Sequence, residues 1–139
     1  MIRTHRSLRC IRNLKSRTWV STSNRLDELE IKEMNITSHG QDTVIKVNAV
    51  SLNPIDQWMI NGRGATMSSI FTKFKNRTST SQNFVTPGRD FHGTVVSCNN
   101  NKLHAGQNVV GVKHPLDKNG ALAEYINASS MVFFDSYSI

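Results

Sequence analysis

The sequence is poor in the residues on which several classes of small protein depend. Its 139 residues include two cysteines, and only Cys98 lies beyond the first ten positions. A single thiol excludes an internal disulfide or a cysteine metal cluster in that part of the chain, and we expect Cys98 to be a small buried side chain. No apolar run is long enough for a secretory signal core or a transmembrane helix.

Acidic residues are absent from the first 25 positions, which carry seven basic ones: Arg3, Arg6, Arg9, Arg12, Lys15, Arg17 and Arg25. On a helix, Leu8, Ile11 and Leu14 would share one face, with most of the arginines opposite. This pattern is typical of a mitochondrial transit peptide, which we assign to residues 1–24 with processing near Arg17–Ser23. The alternative is a disordered basic tail that binds RNA or acidic lipid.

Beyond residue 25, basic and acidic residues balance at ten each. The high isoelectric point therefore gives no reason to expect nucleic-acid binding by the folded part. We assign residues 25–139 to one domain, long enough for a core of its own.

The most informative stretch runs from Val44 to Gly64. Apolar and polar residues alternate over Thr43–Leu52, which predicts a half-buried strand. Asn53 is a favourable N-cap residue, Pro54 fits the first helical position, and the Asp56 carboxylate can reach back to the Asn53 N–H. A short helix is predicted, with Ile55, Trp58 and Met59 as its apolar stripe and Gly62 as its end.

Further short strands are predicted along the chain, separated by turns. They lie at Leu26–Ile36 (as an edge strand or hairpin start), Phe91–Cys98, Val109–Val112, Ala121–Asn127 and Val132–Phe134. The residues of 68–83 are expected to form a long, mobile loop. Short β segments around one or a few short helices predict a mainly β fold, a partly open β-barrel.

Four segments together resemble a known family: VIKVNAVSLNPIDQWMINGRG, then Pro87–Val96 (PGRDFHGTVV), Ala105–Val110 (AGQNVV) and Gly120–Tyr125 (GALAEY). In this order they resemble the N-terminal GroES-like domain of medium-chain dehydrogenase/reductases. Their sequences are most similar to those of the zinc-free quinone oxidoreductase branch, and within it they resemble the mitochondrial members in particular. The resemblance covers roughly Leu26 to Val132.

The resemblance implies candidate site residues and excludes one class of enzyme. In the zinc-dependent relatives a metal-binding Cys matches Asn53 and a metal-binding His matches Arg89. Asn is a poor zinc ligand and protonated Arg cannot be one, so no metal is expected. The resemblance assigns catalysis to Asn53 and Asp56, and cofactor binding to Asn53, Asp56 and Arg89. Arg89 and Asp90 are expected to form a supporting ion pair or to lie behind the residues that contact the ligand, and Tyr125 is expected to pack in the core with its hydroxyl satisfied at the rim.

The family implies NADP(H) as cofactor and a quinone or conjugated carbonyl compound as substrate. Its cofactor domain carries a Gly-rich turn at a helix N-terminus, and these 139 residues contain no such turn. We therefore expect the Rossmann domain to be absent, the chain to be a truncated half of the enzyme, and cofactor binding to be weak. The alternatives are a non-catalytic mitochondrial module that binds a protein partner and, by fold analogy alone, a co-chaperonin-like subunit.

Overall fold

The computed structural model describes residues 13–23, 25, 27–36, 42–63, 84–98, 103–128 and 132–135. They form seven strands and one helix in chain order: β1 (Leu14–Ser21), β2 (Leu29–Ile36), β3 (Thr43–Ser51), α1 (Pro54–Ile60), β4 (Asp90–Cys98), β5 (Asn108–Val112), β6 (Tyr125–Asn127) and β7 (Val132–Asp135). The prediction of a mainly β fold is confirmed. Within the described part of the chain the strands are not closed into a barrel, and no helix there is long and apolar enough to cross a membrane. The loop predicted at 68–83 lies outside the described residues.

Five strands form one antiparallel sheet in the order β6-β3-β4-β5-β7. Successive side chains of a strand face opposite sides, so β4 alternates between a core face and an outer face up to Val95, after which a register shift against β3 interrupts the alternation. Phe91, Val95 and Cys98 lie on the core side with Ile45 of β3 and Val109 of β5, all at most 2% exposed. The expectation of a buried Cys98 is confirmed.

The hairpin of β1 and β2 is the second sheet, and β1 was not predicted from the sequence. The backbone N–H of Trp19 donates to Leu122 O at 3.0 Å, and that of Glu124 donates to Arg17 O at 3.0 Å. Val20 is fully buried. Leu14, which the sequence analysis places on a helical face, is the first residue of β1. The rest of that face lies outside the described residues, and the assignment of residues 1–24 to a transit peptide stays a prediction.

Helix α1 begins where predicted, with Asn53 as N-cap and Pro54 as its first residue. Its buried face differs from the predicted stripe. Asp56, Met59 and Ile60 are buried, whereas Trp58 is 41% exposed. The interpretation of Trp58 as a core residue is wrong, because Asp56 takes the buried side of the first turn and Trp58 lies away from it.

Candidate functional site

The first turn of α1 is held by a buried carboxylate. Asp56 is 1% exposed. Its Oδ2 accepts from the backbone N–H of Asn53 at 2.8 Å, which is the reach-back that the sequence predicts. Its Oδ1 accepts from the backbone N–H of Gly88 at 2.7 Å. One side chain therefore ties the helix start to the segment that enters β4.

Gly88 is suited to this contact by its backbone. Its φ of +94° lies in the region that side chains with a Cβ rarely adopt. A Cβ there would also lie 2.5 Å from a methyl group of Val50. The Pro87–Gly88 turn is therefore specific to glycine, and it directs the N–H at Asp56.

Arg89 is the cationic partner of this carboxylate. Its Nε lies 3.3 Å from Asp56 Oδ1, and both side chains are almost fully buried. Its Nη1 donates to His114 O at 3.0 Å and to Asp117 O at 2.6 Å. Burial lowers the pKa of the guanidinium, and the charges of Asp56 and Asp117 oppose that shift. Arg89 thus joins α1, β4 and the loop after β5 from inside.

The predicted ion pair between Arg89 and Asp90 is wrong. The two residues are neighbours where β4 begins, so their side chains leave the backbone on opposite faces. Arg89 faces the interior and meets Asp56, whereas Asp90 is half-buried and faces outward. We call the inner contact of Asp56 and Arg89 the buried pair.

On the outer side, Asp90 meets Asn53 instead. Asn53 Nδ2 donates a short hydrogen bond to Asp90 Oδ2, and Asn53 Oδ1 accepts from the Ser51 hydroxyl at 3.2 Å. Ser51 and Asp90 are directly opposite each other in the β3–β4 ladder. We call the contact of Asn53 and Asp90 the rim pair. Both of its residues are half-buried, so the pair can be reached from solvent.

Exposed apolar side chains flank the rim pair. Leu52 precedes Asn53 and is 53% exposed, while Val112 lies opposite Asp90 in the β4–β5 ladder and is 43% exposed. Val110, which is opposite His92 in the same ladder, is also exposed on this outer face, and Val96 is a further exposed apolar residue of β4. A polar donor beside apolar surface is an arrangement that suits a ring compound with a carbonyl oxygen, or a covering protein surface.

The remaining candidates lie elsewhere. Tyr125 is half-buried in β6 rather than part of the core, and its backbone carbonyl accepts from the Ser16 hydroxyl at 3.1 Å. Within the described ranges, no three His, Cys, Asp or Glu side chains are grouped as a metal site would require. An open depression of about 480 Å³ lies against α1, lined by Arg25, Asp27, Gln57 and Asn61, and it does not include the rim pair.

Of the predicted site residues, the structure brings Asp56 and Arg89 together inside the fold and leaves Asn53 at the surface with Asp90. Asp56 and Arg89 have no open side from which to contact a ligand, so their part in binding stays a prediction. Sequence reasoning missed Ser51, Lys113 and Asp117. Lys113 Nζ lies 3.7 Å from Asp117 Oδ2 in a nearly buried contact. Their four-residue spacing was a weak signal for that contact.

Comparison with known proteins agrees with this architecture. The family model described as "Alcohol dehydrogenase GroES-like domain" matches residues 39–134. No curated protein sequence matches the chain significantly.

Solved structures share the fold at low sequence identity. The quinone oxidoreductase of Coxiella burnetii aligns with a TM-score of 0.63 at 23% identity, over 86% of this chain and 37% of that one. A putative NADPH:quinone reductase from Bacillus thuringiensis gives 0.57 at 19%, over 84% and 32%. A crotonyl-CoA carboxylase/reductase in complex with NADP gives 0.68 at 14%, over 88% and 37%.

The chain thus spans about a third of the length of these structures. Its match to the family model covers well over half of its own residues, and the β3–α1 corner and the antiparallel sheet lie inside the matched range. The chain belongs to the alcohol dehydrogenase GroES-like domain family.

Proposed function

We propose that this chain is the GroES-like part of a zinc-independent, NAD(P)H-dependent oxidoreductase that reduces a quinone or a conjugated carbonyl compound. The supporting observation is the rim pair: a half-buried amide donor, fixed by Asp90 and flanked by exposed Leu52 and Val112. The quinone oxidoreductases among the similar structures make the same class of acceptor plausible.

Of the residues predicted to bind the cofactor, Asn53 is suited to contact it and Arg89 is not. Asn53 has a side-chain donor at the surface, so it can contact the nicotinamide edge or the acceptor. Arg89 does not fit as a phosphate-binding residue, because its guanidinium is 2% exposed and bound to Asp56 and two carbonyls. When bound, a reduced nicotinamide supplies the hydride. The chain's own part is to orient the acceptor and exclude water from it.

We propose that these 139 residues alone bind NADPH weakly and do not turn over quinone, because hydride transfer needs donor and acceptor held together. The test fuses the chain to the cofactor-binding part of the Coxiella burnetii enzyme and measures NADPH oxidation with duroquinone, whose ring carbons are all substituted. We expect turnover in the fusion, a loss with Asn53→Ala, and no loss with Asp42→Ala. Tight NADPH binding and turnover by the chain alone would contradict the half-site proposal, and an inactive but folded fusion would contradict the proposed reaction.

The proposal includes the absence of a catalytic zinc. By family resemblance, the two zinc-ligand positions are Asn53 and Arg89 here, and Arg89 is occupied by its ion pair with Asp56. Elemental analysis of the purified chain after dialysis should find no stoichiometric zinc. A stoichiometric amount would overturn this part of the proposal.

A second candidate is a protein-binding module without catalysis. The observation that favours it is a set of apolar side chains on β4 and β5, Val96, Val110 and Val112, each about 40% exposed. The fusion described above, with and without Val110 and Val112 changed together to Thr, separates the two functions. A catalytic role predicts that the fusion described above loses activity, whereas a binding module predicts that the fusion is inactive before any change.

We also propose that the N-terminal residues direct the chain to mitochondria. Because Leu14–Ser21 form β1 and Val20 is fully buried, processing before Leu14 would leave the fold intact, whereas a cut in Arg17–Ser23 would break it. A reporter carrying Met1–Asn13 should reach mitochondria, and changing Arg3, Arg6, Arg9 and Arg12 to Glu should prevent this. A reporter that stays in the cytosol with the native residues would contradict the proposal.

A further inference from the structure

The side-chain amide of Asn53 is held at both ends. Its Oδ1 accepts from the Ser51 hydroxyl and its Nδ2 donates to Asp90. These partners come from two neighbouring strands, since Ser51 ends β3 and Asp90 begins β4. Both of these hydrogen bonds of the amide are therefore made to residues of the sheet.

Asp90 also determines which end of the Asn53 side-chain amide, the oxygen or the NH2 group, faces it. An ionised carboxylate only accepts hydrogen bonds, so it selects the NH2 end of the amide and repels the oxygen end. The Ser51 hydroxyl could serve either end and would not select alone. One Nδ2–H is used by Asp90, and the second has no partner among the described residues.

We propose that Asp90 is a positioning residue, which orients Asn53 so that its second Nδ2–H donates to the carbonyl oxygen of the acceptor. This inference rests on the proposed function and adds the atom that Asn53 binds. The free group offered to a ligand is a donor. A quinone or enone oxygen, which only accepts, matches it, and the neighbouring Leu52 and Val112 are exposed apolar side chains that could contact its ring.

The chemical step gives this donor a role beyond binding. A reduced nicotinamide, when bound, would supply a hydride to the electrophilic carbon of the acceptor, and the conjugated electron pair would then move onto the carbonyl oxygen. Water then supplies one proton, so that the acceptor gains two electrons and two hydrogens while the nicotinamide is oxidised. Negative charge develops on the oxygen that Asn53 contacts, where a preoriented N–H stabilises the transition state more than the ground state.

The test uses the ¹⁵N-labelled 139-residue chain and follows the two Asn53 side-chain amide protons by NMR, assigned by their loss in Asn53→Ser. Asp90→Asn keeps the size and one hydrogen bond but no longer selects an orientation; Asp90→Ala removes the bond. Asp42→Ala is the matched control, because Asp42 accepts from the Asn127 amide at 2.8 Å in a second pair of the same kind.

Without ligand, we expect one Asn53 amide proton to be shifted downfield and protected from exchange in the wild type and in Asp42→Ala, but not in either Asp90 variant. Duroquinone should then shift the other proton saturably, with roughly tenfold weaker binding in Asp90→Ala, as for the loss of one well-oriented hydrogen bond. Backbone resonances of β3 and β4 show in each variant whether the sheet is intact.

The outcomes separate this inference from the proposed function. An Asn53 amide that is unchanged in both Asp90 variants would overturn the positioning role. An amide that loses its orientation while duroquinone binds as before would overturn the link to the acceptor and leave the proposed function standing. If duroquinone shifts no rim resonance in the wild type, this inference is overturned, whereas the proposed acceptor class is decided separately by turnover of duroquinone in the fusion.

Discussion

Two polar pairs lie at the start of α1 and differ in what surrounds them. The buried pair, Asp56 and Arg89, is 1% and 2% exposed and joins three parts of the chain. The rim pair, Asn53 and Asp90, is half-buried, and one of its two residues, Asn53, carries no charge. Arg89 and Asp90 are adjacent in sequence, yet the alternation of a strand sends one into the fold and the other to its surface. Being adjacent in the sequence therefore does not show which of two residues, Arg89 or Asp90, is exposed at the surface where a ligand could contact it.

Burial decides the energetic roles of the two pairs. Two desolvated charges gain little net stability from their attraction, but removing one partner leaves the other charged and buried. The rim pair can exchange its hydrogen bonds for water at small cost. We infer that the buried pair holds the corner in place, and that the rim pair is free to serve binding.

The largest expected effect comes from breaking the buried pair. Arg89→Met should lower the free energy of unfolding by about 3–5 kcal/mol, because Asp56 would stay buried without its cation. Urea denaturation followed by tryptophan fluorescence measures this. Arg17→Met is the matched control: it removes an arginine paired with Glu124 at an exposed site, and its effect should be clearly smaller. Equal effects of the two changes would remove the distinction by burial.

A smaller effect is expected at the residue that belongs to both the rim and the helix start. Asn53→Ala should cost about 1 kcal/mol, because alanine is a poor N-cap residue and both side-chain hydrogen bonds are lost. The backbone bond from residue 53 to Asp56 survives. Asn48→Ala, which removes an exposed amide bound to Thr94, is the control. A loss as large as that of Arg89→Met would mean that the rim holds the fold as well.

The smallest effect concerns the exposed pair of Arg17 and Glu124 and depends on pH. The hydrogen bond from Arg17 lowers the pKa of Glu124 below its ordinary value of 4.5. A lowered folded-state pKa contributes stability above the ordinary value, and this contribution is lost as the pH falls through the lowered value. Glu124→Gln should therefore show a shallower loss of stability below pH 4.5 than the wild type. If the two proteins lose stability identically as the pH falls, the contact of Arg17 with Glu124 does not stabilise the fold.

The sequence predicted those parts of the fold that depend on local pattern. The strand before Leu52, the N-cap Asn53 and the reach of Asp56 to its backbone N–H are confirmed, whereas burial along β3 does not follow the predicted two-residue alternation. They involve residues at most a few positions apart, where spacing alone fixes which atoms can meet.

The rest depended on contacts between distant residues. β1 was missed because its basic, acid-free composition favoured a leader, and its stabilising partner Glu124 is 107 positions away. The partner of Arg89 was misassigned because the nearer acid, Asp90, lies on the opposite face of the strand. Trp58 was assigned to the apolar stripe of α1 because the pattern of apolar residues gave no sign that Asp56 is buried. Predicting a buried Asp56 would have required knowing that Arg89 is its partner.

The central claim is that burial separates a pair that holds the fold from a pair that serves a ligand. The most direct test measures the free energy of unfolding of Asp56→Asn and Asp90→Asn side by side in urea. Both changes remove one negative charge and keep the side-chain size. We predict a loss of about 3 kcal/mol for Asp56→Asn and less than about 1 kcal/mol for Asp90→Asn. Similar losses, or a larger one for Asp90→Asn, would contradict the claim.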